Sequence, residues 1–365
     1  MKFETSIEQL RGAVSTTARF TERRANLPVL GSVLLAAEGG RLVLRATNLE
    51  CGVEVTVPGK VETDGIVAVP APVFAGFLAG AQGKSVSVSL EGTVLSVKTE
   101  RATASIKTIP HEDFPLLPRV SAEKSFSIKA GDLARVLRSV VNCASTSTVK
   151  PELQSVLLCG EASKLTAAAT DSFRLAEKTV TRRGGGVVPS LLLPARNATE
   201  LIRLLEGIKS DIELYYNDNQ LSVQLDGVYY TSRLIDGSFP DYHQIVPKTF
   251  VTEAVVLRED FSSALKSLSI FSDKFSQVSL TIDPEKKAIL LSSRNPDVGE
   301  QTSTVKATIS GESVALSFNN RYLADGLSAI MGESVRLHSN GPGKALLIKD
   351  AADDSFFYLA MPMNR

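Results

Sequence analysis

Residue types that carry catalysis or bind metals are few and scattered in this sequence. No histidine has a second histidine four residues away, which a helical metal site would need. There is no G-x-S-x-G motif for a nucleophilic serine, no P-loop and no G-x-G-x-x-G fingerprint. The histidines are His111, His243 and His338. We therefore expect no metal site, no cofactor and no catalytic residue of a recognised type, which favours a binding or scaffolding role.

Two other patterns could suggest chemistry but have simpler explanations. The run RRGGGVVP at 182–189 is glycine-rich, yet it lies between predicted strands with no following helix to bind a phosphate, so we interpret it as a hairpin loop. Asp353 and Asp354 lie in a polar, turn-like stretch and are interpreted as solvated charges. Neither pattern indicates an active site.

Composition and cysteine usage are typical of a globular protein in a reducing compartment. The 365 residues are 43% hydrophobic and 22% charged, which suggests two or three domains. Cys51, Cys143 and Cys159 are odd in number, far apart and without C-x-x-C spacing, so we interpret them as buried thiols. The N-terminus lacks the pattern of a signal peptide, and no run approaches the ~18 apolar residues of a membrane span. We expect a cytoplasmic protein with no membrane partner.

The balance of charge limits how the chain could bind nucleic acid. Forty basic and forty acidic residues give a formal net charge of zero, whereas a protein that grips nucleic acid over its whole surface is usually basic. Any positive surface must therefore be local. Arg135 and Arg138 lie three residues apart, off the apolar stripe of Leu133 and Leu137, and so share one exposed helical face. They are either part of a local binding surface or ordinary solvated charges.

The elements that must position these residues are repeated along the chain. LGSVLL at 30–35 returns as LQSVLL at 153–158, and at the same offset of 123 positions Thr47 falls on Thr170. A fainter third copy includes FSQVSLTI from Phe275. A series of matches in one order indicates three homologous, domain-sized units. The predicted domains are 1–120, 121–249 and 250–365.

Each repeat follows the order helix, strands, helix, strands. The first helix candidate, SIEQLRGAVSTTARF, has Leu10 and Val14 at helical spacing, and Ser6 with Gln9 resembles a capping box. Alternating runs with Gly- or Asn-centred turns, such as KSVSVSLEGTVLSVKT, predict antiparallel hairpins. The pattern predicts two helices and about eight short strands per repeat, which is an α+β fold dominated by sheet.

Four stretches carry a resemblance to a known family along the entire chain. They are LPVLGSVLL at 27–35, TDSFRLA at 170–176, LIDGSFPDYHQIVPK at 234–248 and the C-terminal YLAMPMNR. The chain resembles the bacterial sliding clamps, the β subunits of DNA polymerase III. The resemblance implies three similar clamp domains, each with two inner helices and outer antiparallel sheets, in a ring-shaped head-to-tail homodimer. A head-to-tail contact closes into a ring only when the rotation per unit fits.

The resemblance also implies a function. Such a ring is a DNA polymerase processivity factor that slides on double-stranded DNA, held topologically and without sequence specificity, and it is a non-catalytic subunit of a DNA-directed DNA polymerase. Implied partners are the alpha subunit of the replicative polymerase, a clamp loader that opens the ring with ATP, and other proteins with clamp-binding peptides. One alternative is a specialised duplicate that serves only as a partner-binding scaffold. Another is an enzyme of unrecognised type.

Basic residues that would face DNA follow from the helices and from the resemblance. Duplex DNA carries about one negative charge per 1.7 Å of its axis, so a favourable lining is basic. Arg24 matches a DNA-contacting arginine of the family, and Arg196 and Lys150 match basic positions in similar clamps. Ser147 replaces a glutamine of some relatives, which weakens that contact. The expected set is Arg11, Arg24, Arg135, Arg138, Lys150, Arg196, Arg203 and Lys266.

An apolar groove for partner peptides is implied between the second and third domains. Methionines suit such a groove because they adapt to different side chains, although Met361 to Met363 could simply finish the last strand. Ser172-Phe173 stands where many relatives have Gly-His, and Gln244 where some have Arg, so we expect altered peptide preference or affinity. The implied positions are Leu153, Thr170, Ser172, Phe173, Arg174, Leu175, Pro240, Ile245, Ala345, Leu359, Ala360, Met361, Pro362 and Met363.

The seam between two copies is the last implied site. TASIKTI at 103–109 is the expected edge of the first domain, and SIFSDKF at 269–275 the expected partner surface. An exposed strand edge invites pairing with another chain. The side chains expected at this seam are Ala104, Ile106, Ile270 and Phe271.

Overall fold

A computed structural model describes residues 1–22, 27–121 and 124–363. The chain forms two compact units: one contains Met1–Ser127 with Ser210–Leu234, and the other Ile128–Lys209 with Ile235–Arg365. Every strand pair named below is antiparallel. Among the described residues, no helix has the length and apolar character to cross a membrane.

The first repeat forms two helices and nine strands in the described residues. Its elements are β1 (Lys2–Ser6), α1 (Ile7–Ala18), β2 (Ser32–Glu38), β3 (Arg41–Thr47), β4 (Cys51–Val57), β5 (Lys60–Thr63), β6 (Gly65–Pro70), α2 (Ala71–Gly80), β7 (Ser85–Glu91), β8 (Val94–Thr99) and β9 (Thr103–Lys107). Helix α1 buries Leu10 and Val14, as the spacing predicts. The predicted capping box is wrong, because the Ser6 side chain makes no hydrogen bond to the start of the helix.

The second repeat is built alike. Its elements are β10 (Ser125–Lys129), α3 (Ala130–Val140), β11 (Ser155–Glu161), β12 (Lys164–Thr170), β13 (Arg174–Thr181), β14 (Val188–Pro194), α4 (Ala195–Leu205), β15 (Asp211–Tyr216), β16 (Gln220–Leu225) and β17 (Val228–Arg233). Helix α3 packs against α4 and buries Leu133 and Leu137, which leaves Arg135 and Arg138 exposed as predicted. The glycine-rich run joins β13 to β14 with no phosphate-binding helix directly after it, but these two strands do not pair with each other. Strand β14 pairs with β11, so the run is a connection between separated strands and the predicted hairpin is wrong.

The third repeat has the same order of helices. Its elements are β18 (Thr252–Leu257), α5 (Arg258–Leu268), β19 (Gln277–Asp283), β20 (Ala288–Asn295), β21 (Gly299–Gly311), β22 (Val314–Asn319), α6 (Asn320–Ser328), β23 (Ser334–Ser339), β24 (Leu346–Asp350) and β25 (Phe356–Ala360). Asn319 caps α6, because its side-chain oxygen accepts a hydrogen bond from Arg321 N at 2.9 Å. The predicted α+β class with two helices per repeat is confirmed.

In the part of the chain that the structure describes, the strands form three sheets, and two of these join strands of neighbouring repeats. The sheet orders are β5-β1-β7-β8-β9, β10-β15-β16-β17-β4-β3-β2-β6, and β14-β11-β12-β13-β25-β24-β23-β18-β21-β20-β19-β22. In the first compact unit β17 pairs with β4, with Tyr230 opposite Val53. In the second unit β13 pairs with β25, with Leu175 opposite Leu359. The compact units therefore differ from the repeats, and the domain limits at 120 and 249 stay a prediction.

Candidate functional site

The turn between β12 and β13 is held by its own side chains. The Thr170 hydroxyl donates to Arg174 O at 2.7 Å and accepts from Ser172 N at 3.1 Å. One carboxylate oxygen of Asp171 accepts from Phe173 N at 2.9 Å and from Arg174 N at 3.0 Å. Ser172 has a φ of +76°, a left-handed conformation that favours glycine. These bonds fix a turn that presents Phe173, whose side chain is 61% exposed.

Arg174 connects this turn to helix α6. Its Nε donates to Asp171 Oδ2 at 3.0 Å, and its Nη1 forms an ion pair with Asp325. The guanidinium carbon lies 4.4 Å from the centroid of the Tyr322 ring, within the range of a cation–π contact. The Arg174 side chain is only 12% exposed, so its two carboxylate partners supply the compensation that a largely buried charge requires.

A pocket of about 340 Å³ opens beside the turn. The chain after β25 forms one wall: Met361 N donates to Phe173 O at 2.8 Å, and Met363 N donates to Ser317 O at 2.7 Å. These residues therefore lie outside β25, which ends at Ala360, and do more than finish the last strand. We call this the docking pocket; its lining residues are Phe173, Asn319, Tyr322, Met361, Pro362 and Met363.

The lining of the docking pocket is chemically apolar. The one amide, Asn319, is already engaged, since its oxygen caps α6 and its nitrogen donates to Phe275 O at 3.1 Å. Burial raises the pKa of the Tyr322 hydroxyl, and the nearby Asp171 charge acts in the same direction, so this group stays neutral. Two thioethers, a proline ring and two aromatic rings make up the rest. Such a surface favours an apolar side chain over a carboxylate.

An apolar cluster of the same compact unit contains further predicted residues. Leu175 and Leu359 are buried in it, with Ala345 packed at its edge. Tyr242 lies within it and donates its hydroxyl proton to Glu177 Oε2 at 2.5 Å. Burial, and then this hydrogen bond, raise the pKa of Tyr242. The cluster holds β13 and β25 together; Phe173 directly precedes β13 and Met361 directly follows β25.

The predicted groove residues thus divide by position. Pro240 and Ile245 are exposed, and their neighbours Phe239 and Val246 pack on the apolar cluster. Leu153 is buried in the 3-10 turn that precedes β11. Sequence reasoning missed four residues, namely Tyr242, Asn319, Tyr322 and Asp325. The i+3 spacing of Tyr322 and Asp325 puts them on one face of α6. Only the pairing of β13 with β25 shows that this face contacts Arg174.

Arg135 and Arg138 of α3 and Arg203 of α4, all predicted to face DNA, are each paired with a carboxylate. Arg135 Nη2 lies 2.6 Å from Asp132 Oδ1. Arg138 Nη2 lies 2.9 Å from Glu206 Oε1, which joins the two helices. Arg203 Nη1 lies 2.6 Å from Glu200 Oε1. We call this set of three ion pairs the α3/α4 face.

The other predicted DNA-facing residues have different surroundings. Arg11 donates from Nε to Leu78 O at 2.8 Å and from Nη2 to Ala81 O at 2.6 Å, so it satisfies carbonyls at the end of α2. The remaining basic side chains in the described part of the chain are exposed; they are Lys150, Arg196 and Lys266. Arg24 lies outside the described residues. A role in DNA contact stays a prediction for all of them.

The structure corrects one prediction for the seam. Strand β9 is the edge of its sheet, as expected, but Ile106 is only 5% exposed and lies opposite Leu95. Its side chain belongs to the core of its own sheet, so a charge there would disturb the fold and could not report on association. Ala104 is half-buried, Ile270 is 68% exposed and Phe271 is half-buried beside Gly299.

The cysteines agree largely with their predicted role. Cys51 and Cys143 are buried, whereas Cys159 is half-buried. Burial raises the pKa of the Cys143 thiol to about 12, which suppresses the reactive thiolate at neutral pH. Among residues 1–22, 27–121 and 124–363, no group of three or more metal-ligating side chains comes together.

Comparison with known families gives matches along nearly the whole sequence. Three models of the DNA polymerase III beta subunit match in order: the N-terminal domain at residues 1–118, the central domain at 127–241 and the C-terminal domain at 243–364. The chain is 29% identical over 375 residues to the beta sliding clamp of Synechococcus elongatus, covering 100% of this chain and 99% of that one.

Solved structures share the fold over the full length. A DNA polymerase sliding clamp from Bacillus subtilis superposes with a TM-score of 0.93 at 23% identity, over 100% of this chain and 99% of that one. A sliding clamp from Pseudomonas aeruginosa, bound to griselimycin, has a TM-score of 0.92 at 26% identity and full coverage of both chains. The three-domain clamp fold that the resemblance implied is confirmed.

Proposed function

The chain belongs to the DNA polymerase III beta subunit family, the bacterial sliding clamps, and on this premise we propose that two copies close head to tail into a ring around duplex DNA. It is a DNA polymerase processivity factor, and the family is the non-catalytic subunit of that polymerase. DNA and a DNA polymerase are therefore its partners. The full-length match does not favour a specialised duplicate.

The docking pocket supports a specific way of tethering. We propose that the replicative polymerase alpha subunit, the clamp loader and other partners insert a short linear peptide into it. The pocket has backbone walls fixed by hydrogen bonds and side-chain walls that are apolar and neutral. The structure of the similar Pseudomonas clamp was solved with griselimycin bound. The remaining predicted groove residues, from Leu153 to Ala360, would support or extend this pocket.

We propose that peptide preference differs from that of relatives with Gly-His at the turn. Phe173 adds an exposed ring to the docking pocket where a histidine would add a titratable polar group. A fluorescent clamp-binding pentapeptide, varied one position at a time, measures the preference. Unaltered affinity and preference relative to a Gly-His clamp would refute this part of the proposal.

The same premise supports the domain limits, the location and the DNA contact. We propose domains at 1–120, 121–249 and 250–365, and action in the cytoplasm, where bacterial DNA is replicated. The exposed arginines of α3 and α4 are the groups that would contact phosphates without reading the base sequence. Zero net charge suits a ring that needs the DNA to stay enclosed rather than tightly bound.

One experiment tests the ring directly. The protein is loaded on nicked circular duplex DNA with the cognate loader and ATP, and the circle is then cut. Retention on circles followed by loss from linear DNA is the expected result. Equal retention on both forms would mean ordinary surface binding, and a failure to be retained on any form would revive the scaffold function.

A further inference from the structure

The arginines of the α3/α4 face are accessible yet occupied. Arg135 and Arg138 are each 57% exposed and Arg203 is 49% exposed, so a phosphate could reach all three. Each nevertheless has a carboxylate oxygen within 2.9 Å. Three positive and three negative charges give this face no net charge.

Two of the three carboxylates, Asp132 and Glu206, differ in what they contribute to the stability of their helices. Asp132 lies in the first turn of α3, where a negative charge suits the helix dipole. Glu206 is the C-terminal cap of α4, where a negative charge is unfavourable, and it is exposed. Local helix stability therefore explains Asp132 but not Glu206. The bond from Arg138 to Glu206 calls for another explanation.

We propose that Asp132, Glu200 and Glu206 act as internal competitors of DNA phosphates, so that each arginine must exchange a carboxylate for a phosphate. The inference rests on the proposed function, in which this face meets duplex DNA. An exchange of one anion for another has a small net free energy, so no position along the DNA is strongly preferred. The acidic residues would thus lower both the grip on DNA and the barrier to sliding.

Counterion release gives the proposal a measurable form. Each cation that newly neutralises a phosphate makes the plot of log affinity against log salt steeper by about 0.9. An arginine that is already neutralised by a carboxylate contributes less to this slope. Removing one carboxylate charge should therefore steepen the slope by up to about 0.9 and raise affinity about threefold at low salt, the range expected for an exposed pair.

The test uses the full chain and a short linear duplex, so that topology plays no part. Fluorescence anisotropy is recorded at several salt concentrations for Glu206→Gln, Asp132→Asn and the double variant. Glu285→Gln is the matched control: it removes one exposed charge from the β19–β20 turn, away from any helix. Thermal unfolding of every variant excludes a change in fold.

A second measurement reports on sliding itself. On loaded protein, single-molecule tracking should give a lower diffusion coefficient for Glu206→Gln than for wild type, and an unchanged one for Glu285→Gln. A purely structural role of Glu206 would leave the salt slope and the diffusion coefficient unmoved.

The outcomes separate this inference from the proposed function. Higher affinity and a steeper slope for Glu206→Gln and Asp132→Asn, but not for Glu285→Gln, support it. An equal rise in all three would mean a general charge effect and overturn it. If no acidic variant binds more tightly while Arg138→Gln binds less tightly, the competition is refuted and the DNA-facing role stands. If Arg138→Gln and Arg135→Gln also change nothing, the DNA-facing assignment falls with it.

Discussion

The turn at Thr47–Cys51 and the turn at Thr170–Arg174 have the same hydrogen bonds in two different repeats. The Thr47 hydroxyl donates to Cys51 O at 2.9 Å and accepts from Leu49 N at 3.0 Å, as Thr170 does with Arg174 and Ser172. The side-chain oxygen of Asn48 accepts from the backbone N–H groups two and three residues later. Asp171 does the same in the second turn. Leu49 has a φ of +73° and Ser172 one of +76°.

Each turn also accepts the same backbone hydrogen bond from a neighbouring strand, and only the side chains at that contact differ. Arg233 N, at the end of β17, donates to Glu50 O at 2.8 Å, just as Met361 N, directly after β25, donates to Phe173 O at 2.8 Å. In the first case the side chains are an exposed acid and base, 3.8 Å apart. In the second they are an aromatic ring and a thioether that line the docking pocket. The duplicated backbone thus supplies the frame of the pocket, and a few side chains decide whether it is a binding site.

The sharpest way to break this comparison is at Arg174, whose counterpart is the buried Cys51. Arg174→Met should lower the free energy of unfolding by about 3 kcal/mol, because it leaves two carboxylates without their partner. Cys51→Ala should cost about 1 kcal/mol, the price of a small buried side chain. Urea unfolding measures both. Equal losses would show that the ion pairs add nothing to the turn.

Phe173→Glu gives the second turn the side chain of the first. Peptide affinity should fall about 30-fold, or about 2 kcal/mol, because a carboxylate would replace an anchor ring in an apolar pocket. Stability should hardly change, since Phe173 is largely exposed. Fluorescence anisotropy with a labelled peptide is the measurement, and Glu50→Phe in the other turn is the control, expected to leave binding unchanged. Unaltered binding by Phe173→Glu would remove the docking pocket from the proposed function.

Acid should lower the stability of the protein through an ion pair beside the Thr170–Arg174 turn that has no counterpart beside the Thr47–Cys51 turn. Lys178 occupies the strand position of Val55, both are buried, and its Nζ donates to Asp353 at 2.9 Å and to Ser355 at 2.7 Å. Hydrogen bonds from Ser355 and Lys178 lower the pKa of Asp353 to about 2. This stability is present above the unfolded pKa of ~3.9 and is lost as pH falls toward 2.

The Asp353 carboxylate is 49% exposed, so solvent screening reduces the effect to about 1 kcal/mol. Urea midpoints between pH 5 and pH 2.5 should fall less steeply for Asp353→Asn than for wild type. Glu285→Gln, on an exposed turn, should keep the slope of wild type. Parallel curves for wild type and Asp353→Asn would contradict the assignment.

The smallest expected effect tests the shared backbone. Ser172→Gly should stabilise the protein by about 0.5 kcal/mol, because glycine adopts a positive φ without the clash of a side chain. Leu49→Gly should act in the same direction, with a smaller gain because some side-chain contact is lost. Thermal unfolding detects either change. Destabilisation by Ser172→Gly would mean that its side chain contributes more than its strain costs.

The sequence predicted the repeated local structure of the two turns better than the residues that surround each turn in the fold. The alignment of Thr47 with Thr170 follows from local similarity, and so does the two-helix pattern of each repeat. The pairing of β17 with β4 and of β13 with β25 could not be predicted, because those partners lie more than a hundred residues apart. Without the pairing of β13 with β25, nothing in the sequence places Tyr322 beside Phe173. The burial of Ile106 has a local cause, because β9 pairs with the preceding strand β8 and Ile106 lies opposite Leu95.

Sheets that run across repeats have a consequence for cutting the chain. Strands β15–β17 of the middle repeat belong to one compact unit, while its helices belong to the other. Excised alone, the middle repeat would expose the edges of β13 and β17 that β25 and β4 now cover. If the intact protein were instead cleaved at residue 122, the two pieces would stay associated through the pairing of β4 with β17. Such a chain is suited to fragment complementation.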